Sequence, residues 1–551
     1  MKALKNLKRP SRLSVFSGIA AVFLALMMQS GGSAMAGIMG YSALSFVIGF
    51  LLYFALFFFL IRKLFLFLDR KPKARAKKQS FVNKFSVKYF FIFFGIILLC
   101  WLPIFLAYYP GAFGYDVEYQ MTDLDTFDGH HPLIHNIFLR GTVAIGYKLF
   151  GPNNLAIAFS TVIQMIIIGG AFAYICEAFR HFGKKYLHYG AALFFGLMPF
   201  CSYMAISHTK DAMFIAFFAM SLMMIFEALV IEKISVKRII GTSFIFMLTA
   251  LFRNNAPYIV VAWLIIASIM LWRYQAKRVL LYACAGGLVL AGVFHIVGTR
   301  VFSTTGETEL SAPYSVPLHL MAATIAFHPE LLDEENLEDG KVFGYFDKEN
   351  VEAGAYYCPV LADCAKHTLG LQITNENKMQ MLLTTAKVGL SHPADYLKSY
   401  IYLMKSSWYP FSYDYYKIYG TVNPAGEEEA GFREGITRPT IMAPYVTHQP
   451  LLPHLRAFLD KEWFNLGYSG NLITNTIMVP ATYVHGLVII ICYAWYSRRK
   501  KLLLMTMLPL MAYGTILIGP CVLIRYMAPV MVAVPMLYAY TFVYKDSLLE
   551  K

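Results

Sequence analysis

Residues 108–132 read YYPGAFGYDVEYQMTDLDTFDGHHP and combine acids, histidines and aromatic residues without a single Lys or Arg. The acidic and imidazole side chains are those of Asp116, Glu118, Asp123, Asp125, Asp128, His130 and His131. A carboxylate placed beside an acceptor hydroxyl can act as a general base. The alternative for such acids is an ordinary solvated turn. Asp116 lies nearest to the apolar run that precedes the stretch, so it is the main candidate for a base.

A predicted turn stands just before Asp116. Pro110 cannot continue a helix and Gly111 tolerates positive φ, so the apolar run 88–107 is expected to end here. Asp116 would then lie a few residues beyond the membrane surface, in a shallow site walled by aromatic side chains. In this stretch we predict Asp116, His130 and His131 as catalytic residues and Tyr115 and Gln120 as substrate-binding residues.

The composition shows which elements must hold this stretch. Of the 551 residues, 58% are hydrophobic and only 15% are charged, and the mean hydropathy is +0.53. Apolar runs of about twenty residues recur along the chain, which predicts an all-α polytopic membrane protein. The twelve predicted spans are 13–31, 42–66, 88–107, 152–178, 187–206, 212–232, 238–253, 256–272, 279–298, 472–496, 502–519 and 522–544.

The basic residues indicate an orientation. The net charge is +15, and Lys and Arg cluster in short segments between spans, such as 70–78, 233–238 and 497–501. Such clusters are typical of cytoplasmic loops, where they also attract anionic membrane lipids. In this multi-pass cell-membrane topology both termini are cytoplasmic and residues 109–151 form an external loop. No folded basic face accompanies the clusters, so we expect no nucleic-acid partner.

This topology divides the chain into four parts. Residues 1–87 contain two N-terminal spans and a basic cytoplasmic loop, and residues 88–298 form the transmembrane module that bears the first external loop. Residues 299–471 are polar and acidic, so they are predicted to fold as an external subdomain. Residues 472–551 supply the C-terminal spans.

Cationic side chains gather at the external ends of several predicted spans, namely Lys210, Arg253 and Arg525. A charge next to the hydrocarbon costs at least ~2.5 kcal/mol, so such groups tend to face a cavity and a partner. Arg binds phosphate oxygens bidentately and Lys as a point charge, so a phosphate-bearing lipid would suit all three. The alternatives are snorkelling to the interface and pairing with a local acid, such as Asp211 for Lys210.

Together these motifs resemble the GT-C superfamily of integral-membrane glycosyltransferases, and most closely a bacterial multispan branch. The run YPGAFGYDVEYQ followed by HHP is similar to the first large external loop of these proteins. The resemblance covers about 88–544. It implies a GT-C-like bundle of about twelve transmembrane helices, with external amphipathic helices and one external subdomain. It also implies that Asp116 is the catalytic base and that the donor is a polyprenyl-phosphate-linked sugar.

The implied reaction moves the sugar to a glycan, lipid or protein acceptor at the external face. Attack opposite the phosphate would invert the anomeric configuration, and we expect Lys210, Arg253 and Arg525 to bind the donor phosphate. Further substrate contacts are expected from Tyr115, Gln120, His208, Asp211, Asn254 and Tyr526. Two other classes stay open: a polymerase or ligase of lipid-linked glycans, and a transporter, which would place ionisable residues at mid-membrane depth.

Residues of the acidic stretch could also bind a divalent metal. His131 and His135 have helix-compatible spacing and could ligate a metal together with Asp116. The nearby acids would suit Mg²⁺ or Mn²⁺. Members of the superfamily divide between metal-dependent and metal-independent enzymes. The other interpretation is that His130 or His131 orients Asp116 or binds a sugar.

The 299–471 segment contains its own predictions. Cys358 and Cys364 are its only cysteines, and an external compartment permits either a short-loop disulfide or two free thiols. Residues 313–326 resemble an amphipathic element that follows the ninth span in the bacterial branch. The aromatic-rich run 391–417 suits an interfacial helix or a carbohydrate-stacking surface.

Overall fold

The computed structural model describes residues 11–35, 43–70, 85–112, 117, 120, 127–128, 131–180, 185–230, 234–272, 278–302, 304–305, 312–332, 357–368, 373–412, 449–463 and 472–543. Tyr115, Asp116 and His130 lie outside the described residues. Within these ranges the regular structure is helical, apart from one parallel pair of two-residue strands, β1 (Phe127–Asp128) and β2 (Thr304–Thr305).

The helices of the first part of the chain are α1 (Arg12–Met35), α2 (Ala43–Arg70), α3 (Val87–Ala107), α4 (Leu133–Phe150), α5 (Asn154–Arg180), α6 (Lys185–Leu197), α7 (Pro199–Ile206), α8 (Lys210–Val230), α9 (Val236–Leu251), α10 (Ala256–Leu271) and α11 (Arg278–Val301). The 299–471 segment contains α12 (Ser315–Phe327), α13 (Asp363–Thr368), α14 (Lys378–Ser391), α15 (Pro393–Met404) and α16 (Pro453–Glu462). The C-terminal helices are α17 (Leu472–Ile477), α18 (Pro480–Tyr496), α19 (Lys500–Leu517) and α20 (Ile524–Val543).

Seven helices of the described chain are long and apolar enough to cross a membrane, namely α1, α2, α3, α5, α8, α11 and α19. The pair α6 and α7 is an eighth candidate, bent by 57° between its halves. The protein is therefore a multi-pass helical membrane protein. The remaining predicted spans contain shorter or less apolar helices, of which α9 and α10 have 16 residues each and α20 has 20.

One hydrophobic core unites the membrane helices from both ends of the chain. It contains Phe65 of α2, Trp101 of α3, Trp263 of α10 and Val532 of α20, all fully buried. Helix α1 packs against α2 and α18. The N-terminal spans, the central module and the C-terminal spans therefore form one bundle.

The 299–471 segment has a second, smaller core. Leu318 and Met321 of α12 pack there with Met381 and Val388 of α14. Most residues of α12 are buried, so the predicted amphipathic element at 313–326 is instead a central helix of this unit. Its location follows from its apolar sequence on all sides, which suits a buried helix better than an interfacial one.

Helix α4 lies in the predicted external loop, where the only helical indication in the sequence was the spacing of His131 and His135. It buries His135, Asn136 and Arg140 on one side and exposes apolar residues such as Ile145 and Leu149 on the other. The apolar Leu139 and Val143 are buried on the same side. The buried face of α4 is therefore mixed, and its exposed face is more apolar than that of a usual surface helix in water.

Candidate functional site

The site begins at the turn that ends α3. Gly111 has φ +144°, and a Cβ at this position would collide with Thr161 Oγ1 of α5. Thr161 Oγ1 donates a hydrogen bond of 2.7 Å to the carbonyl oxygen of Pro110. Only glycine combines this backbone conformation with so close an approach, which explains why the YPG turn is needed at this point.

The turn is then joined to the end of the short helix α7. The Ala112 amide donates to the Ile206 carbonyl at 2.9 Å, and the His208 amide donates to the Ala112 carbonyl at 3.0 Å. The last carbonyls of a helix have no partner within it. Gln164 of α5 donates to two carbonyls here, those of Ala205 at 3.0 Å and Ser207 at 2.7 Å. Residues 110–112 and 205–208 are thereby fixed side by side.

His208 is buried in this junction and does not face an open surface. Its side chain is fully buried, and its Nε2 lies 2.8 Å from Thr161 Oγ1. The Thr161 hydroxyl proton is used on Pro110, so His208 Nε2 is the donor in this pair. Burial lowers the pKa of His208 to about 3, so the imidazole is neutral. His208 is therefore too deeply buried for the predicted substrate contact, and in the structure it positions the turn through Thr161.

Asp211, in the first turn of α8, is the centre of a cationic cluster. Its side chain is fully buried, and its Oδ1 lies 2.8 Å from Arg253 Nη1. Its Oδ2 lies 3.6 Å from Nε of Arg525, a residue in the first turn of α20. The two arginines are separated by nearly half of the chain, yet they share one carboxylate. Asp211 thus organises the cations, and it is too deeply buried for the substrate contact that the sequence predicted.

Aromatic rings hold the two guanidinium groups of this cationic cluster. The Arg253 guanidinium lies 4.6 Å from the ring centre of Tyr526 and 5.5 Å from that of Phe214. The Arg525 guanidinium lies 5.2 Å from the Tyr526 ring centre. Such cation–π contacts favour a defined orientation of each guanidinium plane. Tyr526 therefore links Arg253 and Arg525, two of the three predicted phosphate-binding residues.

The disulfide loop of the 299–471 segment supports Tyr526. The structure joins Cys358 and Cys364 in a disulfide. Leu361, between them, packs with Cys521, Leu523 and Tyr526. In addition, the Ala362 amide donates a hydrogen bond of 2.8 Å to the Pro520 carbonyl. The loop is thereby seated on the residues that begin α20.

Helix α4 supplies a buried polar face next to Gln120. The Gln120 side-chain amide donates to His135 Nδ1 at 2.9 Å and to Asn136 Oδ1 at 2.5 Å. Arg140 Nε donates 2.7 Å to the Gln120 carbonyl. Gln120 is 1% exposed, so in the structure its side chain is bound to α4 instead of facing an open cleft.

His131 connects α4 to the cationic cluster. Lys210 Nζ lies 2.8 Å from His131 Nδ1 and must be the donor, because an ammonium has no acceptor. The Nδ1 lone pair is thus used, and a positive charge stands where a metal bound to that nitrogen would lie. His135 Nδ1 likewise accepts from Gln120. These contacts do not fit a metal held through those two nitrogens, so no step below is assigned to one.

Other predicted site residues have different positions. Asn254 is exposed at the corner between α9 and α10, while its neighbour Asn255 donates 3.0 Å to Thr515 Oγ1 of α19. Sequence reasoning missed Gln164, Thr161 and Arg140. Gln164 had a usable signal, since a glutamine in the middle of an apolar span usually has a polar partner.

The geometry thus defines a class: a multi-pass helical membrane protein with a cationic cluster at one end of its bundle. A family model matches residues 122–548, and the chain belongs to this family, DUF6020, a family of unknown function. The matched region includes His131, Lys210, Arg253 and Arg525. No curated protein and no solved structure matches the chain.

Proposed function

We propose that the protein is a GT-C-type membrane glycosyltransferase that moves a sugar from a polyprenyl-phosphate lipid to a glycan, lipid or protein acceptor. The observation that carries the proposal is the cationic cluster. Arg253 and Arg525 come from separate helix ends and share one buried acid, Asp211, and Lys210 is the residue next to that acid at the start of α8. Among the described residues of the cluster positive charge exceeds negative charge, which suits a phosphate.

The distribution of charge along the bundle supports an external site. The ion pair between Arg238 and Glu227 lies at the end of α8 opposite Asp211. Arg12, near the N-terminus, donates to the Trp495 carbonyl at that same opposite end, and Arg499 Nη1 donates 3.1 Å to Thr541 near the end of α20. Under the positive-inside rule, this basic end and both termini are cytoplasmic, and the cationic cluster is external.

The proposed bundle has about twelve spans, with the shorter helices α9, α10, α18 and α20 completing it. A short apolar helix can cross when the bilayer thins locally or neighbouring helices shield its ends. Helix α4 is the best candidate for an external amphipathic helix at the interface. Its exposed Ile145 and Leu149 would face the lipid while His135 and Arg140 face the site.

Asp116 remains the proposed base. It is joined to Val117, which is fully buried, and Ala112 on its other side is fully buried and paired with the residues before Lys210. Gln120, four residues later, is bonded to α4. Ala112 is thus attached to the residues before Lys210, and Gln120 to the helix that follows His131, the partner of Lys210, which supports a cleft shared with the cationic cluster.

In the proposed reaction Asp116 takes the proton of an acceptor hydroxyl as its oxygen attacks the anomeric carbon. The bond from that carbon to the phosphate oxygen breaks, and the electron pair leaves with the lipid phosphate. Arg253, Arg525 and Lys210 stabilise the charge that develops on the phosphate. Lys210 also fixes the His131 tautomer, because a donor at Nδ1 leaves the ring proton on Nε2. Attack from the opposite side inverts the anomeric configuration.

A reconstituted assay tests the proposal. Purified protein in proteoliposomes is supplied with radiolabelled polyprenyl-phosphate sugars on the outside, and transfer to externally added glycan, lipid and peptide acceptors is measured. Counter-transport of the same donors is measured on the same vesicles. Transfer without counter-transport is expected. Counter-transport without transfer would show that the protein is a transporter and not an enzyme. Chain extension of a lipid-linked glycan would indicate a polymerase.

Arg525→Ala is expected to weaken donor-lipid binding by about 10–100-fold, because a hydrogen bond to a charged group contributes about 1.5–3 kcal/mol. Acceptor binding should change far less, since the acceptor is neutral at the reacting hydroxyl. Binding of a short-chain polyprenyl phosphate to the purified variant measures the first effect. Arg238→Ala, at the opposite end of the bundle, is the matched control. Equal donor affinity in Arg525→Ala and the wild type would contradict the phosphate role.

A further inference from the structure

A second group of reactive side chains lies in the 299–471 segment, apart from the cationic cluster. His328, His392 and Asp395 each offer one ligand atom, and these atoms all lie within 4.8 Å of one another. His328 follows the end of α12, His392 lies between α14 and α15, and Asp395 is in the first turn of α15. In the described part of the chain, no other group of three or more His, Cys, Asp or Glu residues meets this criterion.

The distances within the group suit a metal with tetrahedral ligands. His328 Nε2 lies 3.0 Å from Asp395 Oδ2, and His392 Nδ1 lies 3.7 Å from the same oxygen. Two ligands about 2.0–2.1 Å from a zinc ion at a tetrahedral angle lie roughly 3.4 Å apart. The two observed separations bracket that value. The ligand atoms of the two histidines also lie within 4.8 Å of each other, so all three residues can approach one ion.

The surroundings of His328 resemble those of a metal-bound histidine. Its other ring nitrogen, Nδ1, lies 3.1 Å from Glu330 Oε1. Metal-ligating histidines commonly donate their second N–H to a carboxylate, which fixes the tautomer and the ring orientation. The hydrogen bond to Glu330, together with the contacts with Asp395, raises the pKa of His328.

The backbone that carries these residues is held in place by packing. Tyr396, next to Asp395, donates 2.7 Å from its hydroxyl to the Thr385 carbonyl of α14. The cores of α12 and α14 meet through Met321 and Met381. His328, His392 and Asp395 retain 36%, 28% and 22% side-chain exposure, so an ion can enter from solvent. The group is thus both preorganised and accessible.

We propose that His328, His392 and Asp395 form a binding site for zinc or a chemically similar divalent transition metal. Two imidazoles favour this class over Mg²⁺ and Ca²⁺, which take oxygen ligands. Glu330 orients His328, and the three protein ligands leave a fourth position for water. The ion joins the end of α12 to the corner between α14 and α15. This site is independent of the glycosyltransferase proposal.

The position of the site gives it a structural consequence. Helix α15 continues into the turn Lys405–Ser407 and Trp408, whose carbonyl lies 2.8 Å from His485 Nε2 of α18. Helix α12 also packs on α13, whose disulfide loop contacts Tyr526. A metal that fastens α12 to α15 would therefore stiffen the segment that connects both contacts to the membrane bundle.

The experiment uses full-length protein in detergent, first treated with a chelator and then freed of it. Bound metal is measured by mass spectrometry after addition of zinc and gel filtration, and the Tm is recorded with zinc or magnesium. We expect one zinc retained per chain and a Tm increase of several degrees with zinc alone. Glu330→Gln should weaken zinc binding by about 10–100-fold without removing it.

His392→Gln is the decisive variant because it leaves the contact between His328 and Asp395 intact. It should lose both the retained zinc and the zinc-dependent Tm increase. His454→Gln, at an exposed histidine of α16, is the matched control and should keep both. If His392→Gln binds zinc as the wild type does, or if the wild type retains none, the three side chains only contact one another and the proposal is wrong.

Discussion

Asp116→Asn is expected to lower the rate of sugar transfer by about 10²–10⁴-fold, the range that a general base contributes. The amide has nearly the shape of the carboxylate but cannot take the acceptor proton. The loss should therefore appear in the rate of the chemical step, with donor affinity close to that of the wild type. Single-turnover transfer from a bound donor lipid measures it, since donor binding is then complete before the reaction starts.

The control for this variant comes from the same loop. Asp123→Asn removes the same charge from the acidic stretch, so it reproduces any effect of loop electrostatics on substrate approach. It should leave transfer within a few-fold of the wild type. Membrane insertion and elution on gel filtration should be unchanged in both variants. Full transfer activity in correctly folded Asp116→Asn would remove the assignment of the base.

The sequence predicted the helical membrane class and which segments contain helices, because apolar runs of sufficient length have few other solutions. It also selected Arg253, Arg525 and Tyr526 as members of one site. The two arginines were selected by a local argument, namely the free-energy cost of placing a charge beside hydrocarbon. Their actual arrangement around Asp211 could not be predicted, since it depends on which helix ends meet in three dimensions.

The features that sequence reasoning missed have a common physical origin. Helix α4 was overlooked because its buried face mixes polar and apolar residues while apolar residues are exposed on the other side, so its pattern matches neither a membrane span nor a surface helix. The bend between α6 and α7 was overlooked because the segment reads as one apolar run despite Pro199. In the cluster of His328, His392 and Asp395, His328 is far from the other two in the chain, and no local pattern indicates that they meet.

Asp211→Asn is the second change with a large expected effect. Asp211 is fully buried, and its carboxylate faces Arg253 at 2.8 Å and Arg525 at 3.6 Å. Removing one partner of a buried ion pair typically costs about 3–5 kcal/mol, because the remaining charge is left uncompensated. Here two guanidinium groups would repel each other across a neutral amide. The Tm of the purified variant in detergent should fall clearly below that of the wild type.

A second replacement tests this physical reason. If repulsion between the arginines causes the loss, then Arg525→Gln should cost less stability in the Asp211→Asn background than in the wild type. The two effects would be non-additive, as expected for groups in contact. An unchanged Tm in Asp211→Asn would mean that the carboxylate does not hold the cluster together.

Asp211→Asn also separates a structural cluster from a phosphate site. A bound phosphate would supply the negative charge that the variant lacks, so a short-chain polyprenyl phosphate should raise its Tm by more than it raises that of the wild type. Glu227→Gln is the matched control, because Glu227 is a buried acid paired with Arg238 at 3.4 Å at the opposite end of α8. The Tm of Glu227→Gln should also fall, but the lipid should not restore it. Equal restoration of both variants would show that the lipid acts through the membrane surface and not through the cationic cluster.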